Sequence, residues 1–214
     1  MVQLDPFYPI VPNTDWLARL LPAGIKLVQL RIKDQGPDVV RAEIGKAITL
    51  CKAHGCQLVI NDYWREAIDA GARFVHLGQG DLAAADLSAI RKAGIKIGVS
   101  THSLEELEAA LAAHADYVAL GPIYATTIKV MPFAPQGLPR IAEWRSRIRC
   151  PLVAIGGITL DRAPIVLASG ADSVAVITDI VTSQDPEFRA KNWIAETAPW
   201  RGLSTGCPQK SGRA

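Results

Sequence analysis

The chain has 214 residues, 49% hydrophobic and 21% charged, an ordinary globular composition that excludes disordered and fibrous classes and leaves room for one large core. The formal net charge is +2 with lysines and arginines spread along the chain, so there is no basic stripe for nucleic acid and an anionic partner is expected to be small. Cys51, Cys56, Cys150 and Cys207 form neither a CxxC pair nor a zinc spacing, and the start of the chain has no basic-then-apolar leader. A soluble, cytoplasmic protein without zinc or a membrane span is therefore expected.

From the N-terminus, short apolar runs alternate with longer segments of helical period, the pattern of βα units around a buried parallel sheet. Strands are predicted over 7–11, 26–31, 57–61, 74–77, 96–99, 117–120, 152–155 and 173–177. The clearest helix lies over 103–114, where Leu104, Leu107 and Leu111 recur on one face and Ser103 with Glu106 forms a capping box. Ala23-Gly24, His54-Gly55, Ala70-Gly71, Ala93-Gly94 and Ser169-Gly170 put glycine where a helix ends in a left-handed residue before the next strand. Eight such units predict a single-domain (β/α)8 TIM barrel over 1–198 rather than a doubly wound open sheet. Residues 199–214 hold Pro, Gly, Ser and charges without an apolar period and are expected to be a disordered tail.

A barrel places its ligand site at the C-terminal ends of its strands, so the polar residues there are the candidates. After the second strand, alternation points Gln29, Arg31 and Lys33 to one side and Leu30 and Ile32 to the other. The two cations would converge on an anion at the barrel mouth, although the outer end of an amphipathic strand reads the same way. Asn61-Asp62 after the third strand and Asp81 after the fourth put two carboxylates on one rim. These suit Mg²⁺ when a substrate phosphate supplies further oxygens; helix N-capping would use aspartates at the same places.

Ser100 ends the fifth strand beside Thr101 and His102, and its hydroxyl is placed to receive a leaving phosphate. His76 and His102 have no carboxylate partner evident in the sequence, and a structural role is expected of them before an acid–base one. The long loop after the sixth strand contains Thr126-Thr127-Ile128-Lys129. Such loops cover barrel sites, and Lys129 fits a phosphate ligand as well as a plain surface lysine. Gly156-Gly157 after the seventh strand and Ile177-Thr178 after the eighth occupy the usual barrel phosphate site, while a glycine pair alone also fits a tight turn. Read from the residues, the site takes phosphorylated ligands.

The segments QLRIKD (29–34), INDYWREAI (60–68), VHLGQGDL (75–82), GVSTH (98–102), ALGPIYATTIK (119–129) and AIGGIT (154–159) together resemble the thiamine-phosphate synthase family. The likeness runs from residue 7 to about 194. It implies a Mg²⁺-dependent transferase that moves a hydroxymethylpyrimidine group from its pyrophosphate to the ring nitrogen of hydroxyethylthiazole phosphate. It also implies that Gln29, Arg31, Lys33, Asn61, Ser100 and Lys129 hold the pyrimidine pyrophosphate, and that Asp62 and Asp81 hold Mg²⁺. Thr126, Thr127, Ile128, Gly157, Ile177 and Thr178 would then hold the thiazole phosphate. Arg31, Lys33 and Lys129 would stabilise the departing pyrophosphate in a dissociative displacement that needs no protein nucleophile.

Two positions depart from the family pattern: Thr126-Thr127-Ile128-Lys129 stands where Thr-x-Thr-Lys is usual, and Thr178 stands where Ser is common. The competing readings are a thiazole tautomerase of related fold, against which QLRIK and both aspartates argue, and a noncatalytic phosphate-binding barrel, against which the intact cationic set argues. Partners are expected to be small phosphorylated molecules, with a homo-oligomer as the family habit.

Overall fold

A computed structural model of the chain describes residues 2–126 and 134–203. In chain order come β1 (Phe7–Val11), α1 (Thr14–Leu20), β2 (Leu27–Leu30), α2 (Pro37–Ala53), β3 (Gln57–Asn61), α3 (Trp64–Asp69), β4 (Phe74–Leu77), α4 (Gln79–Ala84) and α5 (Leu87–Lys92). There follow β5 (Lys96–Thr101), α6 (Leu104–Ala112), β6 (Tyr117–Leu120), α7 (Gly137–Arg147), β7 (Leu152–Ile155), α8 (Ala163–Ala168), β8 (Ser173–Val176), α9 (Thr178–Val181) and α10 (Pro186–Thr197). The strands pair in parallel in sequence order, and β8 returns to β1 with Phe7 beside Val174 and Tyr8 beside Ala175. This closed ring is the expected (β/α)8 barrel.

Strand alternation builds two apolar layers. Phe7, Val28, Leu30, Ile60, Val75, Val99, Val118 and Val174 pack outward into the core shared with the helices. Tyr8, Ile10, Leu27, Val59, Tyr117, Ala119, Val153 and Ala175 form a second cluster that fills the bore. Because both faces are buried, the strands read as nearly continuous apolar runs.

Aromatic side chains fasten the outer helices. Phe7 stacks on Trp193 with ring centroids 5.3 Å apart, which seats α10 on β1, and burying a side chain such as Phe7 contributes about 1.5–3 kcal/mol. Trp144 of α7 is fully buried and its indole N–H donates to Thr101 Oγ1 at 3.0 Å, while Thr101 Oγ1 donates to the Ala119 carbonyl at 3.0 Å. Its polar atom is thus satisfied inside the core.

Several local expectations need adjustment. β5 runs on through Ser100 and Thr101, because the buried Thr101 hydroxyl finds partners and need not end the strand. On α6 the buried residues are Leu107 and Ala110, and Leu111 is 36% exposed; the inward direction falls between Leu107 and Ala110, and Leu111 is rotated past it. Ser103 Oγ does accept from the Glu106 amide at 3.3 Å, but the Glu106 carboxylate accepts from the amide of His102 at 2.6 Å rather than from that of Ser103.

Packing also continues past Ala198. Trp200 lies against the main core and Arg201 Nε donates to Asp5 Oδ2 at 2.7 Å, so an aromatic ring and an ion pair hold a segment whose Pro and Gly content reads as tail. Residues 204–214 lie outside the described residues. Among the described residues no helix is long and apolar enough to cross a membrane.

Candidate active site

At the C-terminal mouth of the barrel lies a cavity of about 840 Å³, a size that encloses small ligands. Gln29, Arg31, Lys33, Asn61, Asp62 and Asp81 line it on one side. Ser100, Thr126, Gly157, Ile177 and Thr178 complete it from the later strand ends. The structure thus brings together every described residue singled out from the sequence. Thr127, Ile128 and Lys129 lie outside the described residues.

Arg31 and Lys33 follow the last residue of β2, where the Arg31 amide still donates to the Val11 carbonyl at 2.8 Å. The alternation carries on beyond the strand: Ile32 enters the core at 4% exposure and both cations turn to the cavity. Asn61 ends β3 inside the barrel, and its Nδ2 is buried without a hydrogen-bond partner, a donor that a ligand oxygen would satisfy.

Asp62 is a non-glycine residue in the left-handed region, at φ 64°, a conformation that Asp and Asn adopt more readily than most. Its amide donates to the His76 carbonyl at 2.9 Å, and its carbonyl accepts from the Trp64 amide at 2.7 Å, so the turn is held on both sides. Neither aspartate makes a helix cap. Tyr63 is the N-cap of α3 and Gly78 that of α4, each without a side-chain cap bond, and Asp81 sits inside the first turn of α4. The capping role left open by the sequence is therefore not the one these residues have.

The two carboxyl groups instead lie near enough to act on each other's ionisation. Burial, and after it the charge of Asp81, holds the Asp62 carboxyl above the usual carboxylate range, with Lys33 pulling the other way. Among the described residues no group of three or more His, Cys, Asp and Glu side chains is placed to hold a metal ion. Two facing carboxylates fit Mg²⁺, which keeps water and substrate phosphate oxygens in its shell and uses few protein ligands.

Below this rim a file of side chains crosses the bore. Gln29 Nε2 donates to Tyr8 Oη at 3.0 Å, and Tyr8 Oη lies 3.1 Å from Tyr117 Oη. Tyr117 Oη lies 2.9 Å from His76 Nδ1, and His76 Nε2 lies 2.8 Å from Ser100 Oγ. Burial, and then the nearby Arg31 charge, push the His76 ring down to about 4, so it is neutral at ordinary pH. His102 does have a carboxylate partner: its Nδ1 is 2.8 Å from Glu106 Oε2, across the start of α6.

At the opposite end, Gly156 and Gly157 take φ 101° and 62°. A Cβ on Gly156 would lie 2.6 Å from Pro122 Cα, and one on Gly157 would lie 2.4 Å from the Ala125 carbonyl oxygen. The pair is needed to seat the loop after β6, which also bonds through the Tyr124 amide to the Gly156 carbonyl at 3.0 Å. Arg162 borders the same end of the cavity, donating to the Gly157 carbonyl at 2.7 Å with its guanidinium 4.4 Å from the Tyr124 ring centre.

Residues 8–180 match the family model of thiamine monophosphate synthase. The chain belongs to that family. It is 61% identical over 203 residues to the thiamine-phosphate synthase of Rhizobium etli, covering 94% of this chain and 100% of that protein. It is 46% identical over 197 residues to that of Neisseria gonorrhoeae, covering 92% and 95%. The solved thiamine phosphate pyrophosphorylase of Pyrococcus furiosus superposes with a TM-score of 0.81 at 27% identity, over 92% of this chain and 98% of that one. A 3-hexulose-6-phosphate synthase, at TM-score 0.62 and 19% identity over 88% and 98% of the two chains, shares the fold.

Within this thiamine monophosphate synthase barrel, sequence reasoning missed Tyr8 and Tyr117, which lie inside predicted strands, and Arg162, which no motif singles out. It also missed the tie between His102 and Glu106, although their spacing of four residues was a usable signal.

Proposed function

We propose that the cavity holds a pyrimidine pyrophosphate beside a thiazole phosphate and joins them to thiamine phosphate in a Mg²⁺-dependent reaction. The synthase activity rests on the family match and the 61% identity; the roles of individual residues are the proposal. The observation that carries them is the convergence of Arg31 and Lys33 on the wall that holds Asp62, Asp81 and the unsatisfied Asn61 amide.

In this reading the bond between the pyrimidine methylene carbon and the pyrophosphate oxygen breaks first, and its electron pair leaves on the pyrophosphate. The electron-rich aminopyrimidine stabilises the methylene cation, and the thiazole nitrogen lone pair then forms the C–N bond. Arg31 and Lys33, with Lys129 from the loop after β6, offset the charge of the departing group. Gln29, Asn61 and Ser100 hold the pyrimidine pyrophosphate in line, while Thr126, Thr127, Ile128, Gly157, Ile177 and Thr178 hold the thiazole phosphate against it. With both substrates seated in the cavity, little room is left for water beside the cation. Asp62 and Asp81 would hold Mg²⁺, which when bound supplies positive charge to the pyrophosphate oxygens. Small soluble phosphate esters as substrates fit a cytoplasmic enzyme.

The test mixes purified protein, both substrates and Mg²⁺ and follows thiamine phosphate and pyrophosphate with and without EDTA. Both products are expected only with metal. Asp62→Ala and Arg31→Ala are each expected to lower the rate by about 10²-fold or more, with circular dichroism unchanged. Full activity in either variant would overturn the site assignment, and substrate binding without product would favour a noncatalytic or isomerase barrel.

A further inference from the structure

The file of side chains under the cavity floor draws one residue from each of five strands: Gln29 (β2), Tyr8 (β1), Tyr117 (β6), His76 (β4) and Ser100 (β5). Space is made for it. Gly98 pairs with Tyr117 across β5 and β6, and a Cβ on Gly98 would lie 2.0 Å from Tyr117 Cζ, so the phenol ring occupies the volume that any larger residue would fill.

Each hydroxyl in such a file has one hydrogen to give, and a neutral imidazole gives at one nitrogen and accepts at the other. All members are satisfied together only if every bond points the same way; in a mixed file one hydroxyl accepts twice and its own buried hydrogen is left without an acceptor. The Gln29 amide decides the sense. With Nε2 toward Tyr8, Tyr8 donates to Tyr117, Tyr117 donates to His76 Nδ1, and His76 Nε2–H donates to Ser100. The Ser100 hydrogen is then left over, as is Gln29 Oε1, and both residues border the cavity. The opposite sense would need Oε1 at Tyr8 and would turn the Ser100 hydrogen inward, away from any ligand.

We propose that the file runs in one sense, from Gln29 to Ser100, and that Tyr8, Tyr117 and His76 are positioning residues that present an acceptor on Gln29 and a donor on Ser100 to the pyrimidine substrate. An acceptor on Gln29 suits the amino group of an aminopyrimidine, and a donor on Ser100 suits a ring nitrogen or a pyrophosphate oxygen of the same substrate. Cooperative polarisation along the file stiffens both ends at once. The identity of the ligand rests on the synthase reading; the sense of the file is a property of the free protein and can be measured without it.

The first measurement is the ¹⁵N spectrum of histidine-labelled wild-type protein, with the His76 signal assigned by its loss in His76→Asn. A protonated Nε2 and an unprotonated Nδ1 are expected, and the reverse pattern would overturn the proposal. Tyr8→Phe and Tyr117→Phe, which keep the rings in place, separate the links. Both variants should keep the proton on Nε2, but Tyr117→Phe, which removes the donor to Nδ1, should move the Nδ1 signal downfield, whereas Tyr8→Phe should leave it nearly unchanged.

Both variants should weaken the Kd for pyrimidine pyrophosphate with Mg²⁺ by roughly tenfold, about the loss of one hydrogen bond, and change that for thiazole phosphate by less than about twofold. An unchanged pyrimidine Kd in both would overturn the positioning role. Should Tyr117→Phe not fold, the wild-type spectrum and Tyr8→Phe decide alone. A wild-type protein that makes no thiamine phosphate would defeat the synthase reading, and the tautomer would still decide the sense of the file.

Discussion

Asp62 bears three unfavourable conditions at once: a left-handed backbone, partial burial and the adjacent Asp81 charge. Since the last two raise its carboxyl above the unfolded value, the native state holds that proton more tightly than the unfolded chain does. Stability is accordingly lost as pH rises from the unfolded value through the raised one, and stays lost above it. Asp62→Asn removes the titrating charge and keeps a side chain that tolerates positive φ. In EDTA, its thermal midpoint is expected to exceed that of wild type at about pH 7 and to converge with it near pH 3, below both carboxyl values, while synthesis falls by about 10²-fold or more. Equal midpoints at neutral pH would show that the carboxylate pair carries no strain. The residues of this rim were legible because each follows an apolar run and breaks it with charge or amide. The phenols were not legible, since Tyr8 and Tyr117 lie inside strands where an aromatic is expected anyway and their hydroxyl partners sit on strands far away in sequence. The Gly156-Gly157 pair was found for a reason only partly its own: its immediate structural use is to admit the loop after β6.

At the level of elements, the bounds of β1, β3, β4, β6 and β7 coincide with the predicted runs; in β1, β4, β6 and β7 the strand ends where its apolar residues end, and β3 carries one residue further, to the buried Asn61. β2 and β8 stop one residue short of Arg31 and Ile177, at positions that turn toward the cavity, and β5 overruns because Thr101 is satisfied internally. The pairing of β5 with β6 adds a constraint that no hydrophobic pattern reveals, namely a glycine opposite a tyrosine. Gly98→Ala would push a methyl into the Tyr117 ring, and displaced rings in close-packed interiors cost about 1–3 kcal/mol. Urea unfolding should show a lower midpoint with an unchanged slope, and an unchanged midpoint would mean that the ring has room to move.

For the whole molecule, ring closure matters more than any single contact. The first and last strands are neighbours, and the residues before β1 are tied to both β8 and the C-terminal segment: Ser173 Oγ donates to the Asp5 carbonyl at 2.7 Å, and Arg201 reaches the Asp5 carboxylate. Each of the eight strands delivers its own side chains to the mouth, so the site depends on the ring and not on which unit the ribosome makes first. A circular permutant follows from this. Joining the chain near Asp5 and Arg201 through a short flexible linker, and opening it at Gly94 in the turn ahead of β5, places the new ends on the rim away from the cavity. Such a rewired chain should fold and form thiamine phosphate within about tenfold of the native rate, since termini at exposed turns far from a site are tolerated; opening it after β6, where the loop bonds to Gly156, should not preserve activity.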